Sequence, residues 1–228
     1  MSTSEINSST SADKSARRQS QRRSAVTLIA GVLALVVALV ACGSRTDAGK
    51  ASAQPAPALN ADTLIVSPED VQRITNFDDL SSDSRFDVHQ PGQLDSSASE
   101  LCRVIYDQQV TFVPGWTQFR SVQYSGAANK SVSQAIGLYP TAHDAQAAFD
   151  RLSGAVTRCA ALHVDGYGFT VENVDPSTLA VCFADDCKVT FAVRSSVLIA
   201  VNVQHFAHTS GQIGTAVLQA ITNRIAET

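Results

Sequence analysis

Five cysteines are the side chains in this 228-residue sequence best suited to chemistry: Cys42, Cys102, Cys159, Cys182 and Cys187. A thiol can attack, ligate a metal or close a disulfide, and its setting decides which. Cys182 and Cys187 flank Phe183-Ala184-Asp185-Asp186. Redox dithiols use two intervening residues at a helix start, so a catalytic reading of this pair is weak. A zinc site with His205 and His208 is equally weak, because two histidines at that spacing near a strand end are ordinary surface residues. Asp185-Asp186 reads as a solvated turn tip rather than an acid–base pair. No Gly-x-Ser-x-Gly, His-Glu-x-x-His or phosphate-loop pattern is present. The sequence therefore calls for no catalytic residue, no metal and no cofactor, and it assigns no ligand-binding residues.

Cys42 stands apart from the other four. It follows Arg17-Arg18-Gln19-Ser20-Gln21-Arg22-Arg23 and an apolar run from Ala25 to Ala41. Basic residues, then an apolar run, then small residues at a break is the layout of a secretory leader. Leu39-Val40-Ala41-Cys42 resembles the bacterial lipobox, in which the bond before the cysteine is cut and the cysteine becomes the acylated first residue. Residues 1–41 are then a lipoprotein signal peptide, and the chain is tethered by lipid on Cys42 to the outer face of the cytoplasmic membrane. An uncleaved signal anchor is the alternative, since 17 apolar residues lie at the short end of what spans a bilayer. The basic flank puts the residues after 42 on the outer side in both cases.

The four remaining cysteines form an even set in an exported chain and read as two disulfides. Counting leaves all three pairings open. On a two-residue turn, Cys182 and Cys187 would lie opposite one another, a geometry that suits a cross-strand bridge. Ala184-Asp185 is not a favoured tight-turn pair, and a four-residue loop fits equally well. Cys102 would then pair with Cys159.

The elements that position these cysteines follow from composition and periodicity. Residues 42–63 are rich in Ala, Ser, Gly and Pro and read as a flexible tether. Beyond the leader, 12 basic residues face 19 acidic ones, a net charge of −7. No basic run survives there, which argues against nucleic acid as a partner. The folded domain is placed at 64–228. Ser67-Pro68-Glu69-Asp70 starts a short helix, with Ser as N-cap and acids near the positive end. Residues 76–99 read as a long exposed loop. Trp116–Tyr124 and Ser131–Tyr139 form a predicted hairpin around the turn Gly126–Lys130. Thr141 and Asp144 cap a helix to about Leu162, with Ala145, Ala148, Phe149, Leu152, Val156 and Cys159 on one stripe. Four strands follow: Phe169–Val174, Thr178–Ala184, Cys187–Arg194 and Val197–His205. In the third, Lys188, Thr190 and Ala192 alternate with Val189, Phe191 and Val193, which predicts a sheet with one buried face. A last helix, Ser210 to Ala226, carries Ile213, Val217, Ile221 and Ile225 on one side. The fold class is α+β: an antiparallel sheet packed with helices and stapled by two disulfides.

The order of features resembles a known family. An early Cys102 precedes Gly115-Trp116-Thr117-Gln118-Phe119-Arg120. Val132 to Thr141 then runs into Ala145-x-x-Ala148-Phe149, Cys159 closes that helix, and Val197–Val203 precedes a terminal helix. This pattern is similar to the PknH-like extracellular sensor domain of mycobacterial kinases, which also occurs on free-standing actinobacterial lipoproteins. The resemblance spans roughly Leu64 to Thr228. It implies helices and an antiparallel sheet around a cleft, disulfides joining first to second and third to fourth of these four cysteines, and an extracytoplasmic ligand. The chain departs from the family at Val156, where a Trp is usual, and in the close spacing of Cys182 and Cys187. With no kinase domain, direct signalling is not expected. The leading functional expectation is a non-catalytic ligand-binding or sensor module whose partner is an unidentified extracytoplasmic small molecule. The alternative is a structural lipoprotein that docks an envelope protein.

Overall fold

In the computed structural model, the residues described are 58–93, 99–165 and 168–228. The leader 1–41, Cys42 and the tether as far as residue 57 lie outside them. Among the described residues, no helix is long and apolar enough to cross a membrane.

The chain builds a seven-stranded antiparallel sheet in the order β1-β2-β3-β7-β6-β5-β4. Its strands are β1 (Ser81–Ser82), β2 (Gln118–Ser125), β3 (Ser131–Leu138), β4 (Thr170–Asp175), β5 (Thr178–Phe183), β6 (Asp186–Arg194) and β7 (Val197–Gln204). The helices are α1 (Ala61–Leu64), α2 (Pro68–Thr75), α3 (Gln108–Thr111), α4 (Ala142–Leu162) and α5 (Ser210–Ala226). The short links predicted after residue 169 make β4 to β7 a meander. α4 carries the chain from β3 across to β4 at the far edge. The meander then returns, and β7 pairs with β3 from Ser131↔Gln204 to Leu138↔Val197.

The long helix forms as its pattern predicts. Thr141 Oγ1 accepts the Asp144 N–H at 3.1 Å, and all six stripe residues are buried. It ends on His163 in the left-handed region, φ +48°. α2 likewise starts on Ser67, whose Oγ accepts the Asp70 N–H.

Three expectations change. The fold begins before Leu64. Ala61 is buried and Asn60 caps α1, so residues 58–63 belong to the domain and not to the tether. Part of the stretch 76–99 is held rather than free: Ser81 and Ser82 pair with Ser125 and Tyr124, Val88 bridges Ser121, and Leu80 is buried. Few apolar residues are needed there, because β2 supplies backbone partners. Third, the sheet is covered on both faces. Val189, Phe191 and Val193 belong to one core, with α4, and Ala192 to the other, with α1, α2 and α5. Thr190 is 6 % exposed and lies against Gly214 of α5, so its alternation with apolar residues marks a helix contact and not a solvent face.

Both disulfides close, Cys102–Cys159 and Cys182–Cys187. In the β5–β6 register Cys182 faces Cys187 and Phe183 faces Asp186, so the turn has two residues, with Ala184 at φ +52°. A register shift between Val181 and Cys182 accompanies it. Cys102–Cys159 sits in the α4 core, whereas Cys187 lies against Gly211 of α5, so each face carries one bridge.

Candidate functional site

On the α4 side, β2, β3 and β7 expose the alternate positions that the apolar face leaves over. Gln123, Ser133 and Asn202 are register partners and form a row across these three strands. Ser121, Ala135 and Ala200 form the next row. α4 covers only part of this face. The remainder is the floor of an open cleft of about 480 Å³. Its walls come from Phe86, from Ile105 and Tyr106, and from Gln108 and Phe112, while Val189 and Phe191 close one side of the floor.

Each wall is fastened locally. The Val88–Ser121 bridge, with N–H···O distances of 3.0 and 2.9 Å, lays residues 86–88 along the edge of β2. Asp87 pairs with Arg120 of β2, and the hydrogen bond from that guanidinium holds the Asp87 carboxyl below the usual carboxylate range. Arg120 Nε also meets Asp62 of α1 at 2.8 Å. The second wall follows Cys102, whose disulfide ties the Arg103–Ile105 turn to α4. Gln108 Nε2 donates to Ser121 Oγ at 2.8 Å, and Gln108 Oε1 accepts the Gly92 N–H at 3.1 Å, which joins both walls to the floor. Gly137 makes the packing of Phe112 possible: a Cβ there would stand 2.9 Å from the Phe112 ring.

The floor has unused hydrogen-bonding capacity. Ser133 Oγ donates to Gln123 Oε1 at 3.0 Å, and Gln123 Nε2 donates to Ser125 Oγ at 3.0 Å. Gln204 Nε2 donates to Asn202 Oδ1 at 2.6 Å. The Asn202 amide nitrogen and the Gln204 carbonyl keep no partner among the described residues. Electrostatically the cleft is plain. Its described lining holds no Asp, Glu, Lys or Arg, and His205 sits exposed at its rim with φ +63°.

The four described cysteines, Cys102, Cys159, Cys182 and Cys187, are not in this cleft. Their sulfurs are bonded to one another and offer neither nucleophile nor thiolate ligand. Glu172 comes near Cys182 and Cys187, with ligand atoms within 4.8 Å, but the disulfide removes the charge a metal would need. His208 is exposed and does not join His205 at the cleft. Asp186 accepts a hydrogen bond from Ser210 Oγ at 2.8 Å beside the start of α5, and Asp185 is an exposed turn residue. Sequence reasoning missed the floor residues Gln123, Ser133, Asn202 and Gln204. Their signal was polarity at every second position of three strands, which by itself reads as a solvated face.

The chain matches the PknH-like extracellular domain family over residues 56–227. It belongs to that family. Among solved structures it is similar to the crystal structure of the extracellular domain of PknH from Mycobacterium tuberculosis. The two share 15 % identity and a TM-score of 0.51, over 72 % of this chain and 95 % of that one. At that identity the likeness establishes the fold alone. Comparison with curated proteins returns no significant match. As a PknH-like extracellular domain, the folded part belongs outside the cytoplasm.

Proposed function

We propose that this chain is a lipid-anchored, extracytoplasmic ligand-binding module of the cell envelope, which receives a small molecule in the cleft and does no chemistry on it. The observation that carries the reading is the cleft itself. At about 480 Å³ it falls in the range of small-molecule sites, and it combines apolar walls with a few convergent polar groups. The absence of a catalytic role is argued from the lining, where the described residues bring together no acid–base pair and no activated nucleophile. Anchoring through Cys42 is argued from the basic-then-apolar leader that ends on it. The partners are then the membrane, through lipid, and the cleft's occupant; nucleic acid is not among them. The docking alternative needs a contiguous exposed apolar patch. The strongly exposed large hydrophobics among the described residues are Leu162 and Val174, one at the end of α4 and one on β4.

Native mass spectrometry of the exported chain, before and after denaturation, tests the reading. A non-covalent adduct lost on unfolding is the expected result. A chain that stays bare after incubation with envelope extract overturns it. Cys42→Ala is expected to abolish acylation and mislocalise the protein without unfolding it. A variant still wholly membrane-bound and unprocessed would replace lipid anchoring with the uncleaved signal anchor.

A further inference from the structure

We infer that the cleft takes a neutral, hydroxyl-rich ligand of the saccharide class, held by the Gln123–Ser133–Asn202 row and Gln204 and packed against Phe86 and Tyr106. This inference rests on the ligand-binding reading and narrows it. Asn202 and Gln204 are joined amide to amide at 2.6 Å. Whichever way both amides are turned, one NH₂ and one C=O remain on these two cleft-lining residues without a hydrogen-bond partner among the described residues. A hydroxyl both donates and accepts, so neighbouring hydroxyls on a sugar ring match such a donor–acceptor pair directly.

Other ligand classes fit less well. An anion needs Arg, Lys or the N-terminus of a substantial helix, and a cation needs carboxylates. Neither kind of charge lines the cleft among the described residues. A bare acyl chain would cover the amide row without replacing its water, leaving buried donors and acceptors unpaired. An extended peptide is usually bound by adding a strand to a free sheet edge. β3 and β7 are flanked by strands on both sides, and the outer side of β2 is met by β1 at Ser125 and Tyr124, by Asp83 at Gln123 and by Val88 at Ser121, so the cleft floor presents no continuous free edge. The apolar walls suit the opposite requirement: a sugar's C–H face packs on aromatic rings while its hydroxyls meet the floor.

The test is ligand-observed saturation-transfer NMR on the full chain in lipid nanodiscs. The neutral probes are maltotriose, cellotriose, mannotriose and chitotriose. The comparison probes are glucuronic acid, lauric acid and N-acetyl-trialanine amide. We expect at least one trisaccharide to bind. Asn202→Ala, Gln204→Ala and Phe86→Ala should each raise its Kd about tenfold in variants that keep the native melting temperature. Ser133→Ala, a smaller change on the same row, provides a second floor variant should any of these fail to fold. Saccharide binding that none of these variants alters overturns the assignment to this cleft. Binding of a comparison probe alone, lost in Ala200→Trp, overturns the saccharide class and leaves the ligand-binding reading standing. No binding by any probe, together with a bare mass spectrum, removes both.

Discussion

The same strands make both faces of the central sheet, yet over β2, β3 and β7 one face is closed by packing and the other holds a cleft; the α5 face opens farther along, in a pocket of about 370 Å³ over β4 to β6. On the α5 side, Val122, Val132, Ile136, Val201 and Val203 lie in one continuous core with α1 and α2. Gln134 sits among them, fully buried, with a partner at each end of its amide: its Oε1 accepts the Val66 N–H at 2.9 Å and its Nε2 donates to the Val66 carbonyl at 3.0 Å. Tyr124 Oη donates to the same carbonyl at 2.8 Å. Burial pushes the Tyr124 hydroxyl up to about 12, so it stays protonated and donating at neutral pH. On the α4 side, the amides of Asn202 and Gln204 satisfy only one another. Identical side-chain chemistry is structural where the protein completes its hydrogen bonds and is available for recognition where it does not.

The contrast can be broken most severely at the disulfide that holds the cleft wall. Cys159→Ser opens a loop closed across 57 residues and is expected to cost about 4 kcal/mol. Urea unfolding under non-reducing conditions measures it, and an unchanged midpoint would mean that α4 packing alone holds the wall. Gln134→Ala strands the buried Val66 N–H and opens a cavity on the closed side of β3, while Tyr124 still donates to the Val66 carbonyl. Its expected cost is about 3 kcal/mol, measured the same way. Cys187→Ser, on the α5 side, opens a bridge spanning only five positions and should cost about 2 kcal/mol. If it proves as damaging as Cys159→Ser, the two bridges do not differ through loop entropy. Gln204→Ala should change stability by no more than about 0.5 kcal/mol, since the residue is half-exposed and no buried group loses its partner. A loss as large as that of Gln134→Ala would erase the distinction between the faces.

The smallest expected effect is acid sensitivity of the Phe86 wall. Asp87 has a folded-state pKa held below its unfolded value of 3.8, first through its hydrogen bond from Arg120. A lowered carboxyl contributes stability above the unfolded pKa and loses it as pH falls through the folded one. The stability difference between the native chain and Asp87→Asn should be constant above about pH 5 and shrink below about pH 4. A difference that persists to pH 2 would assign the effect to packing rather than to charge.

Local pattern and composition carried much of this protein. Six residues at helical spacing placed the buried face of α4. The Ser67 and Thr141 caps placed two helix starts, and strand-length apolar runs between turn residues placed β2, β3 and the meander. These features depend on neighbours a few positions away, which is why the sequence displays them. The pairing of β3 with β7, the burial of both faces of β6 and the two-residue turn at Ala184-Asp185 were decided by the assembled sheet. So was the cleft. Gln134 and Asn202 are both polar residues in apolar strands, and nothing local separates them. Their difference lies in what packs above: the Val66 backbone, delivered by a segment 68 residues away, covers one, and the gap between Phe86 and the Ile105–Phe112 wall leaves the other open. Local order follows from adjacent residues, whereas the occupancy of a sheet face is set by elements distant in the chain, whose arrival only the tertiary fold specifies.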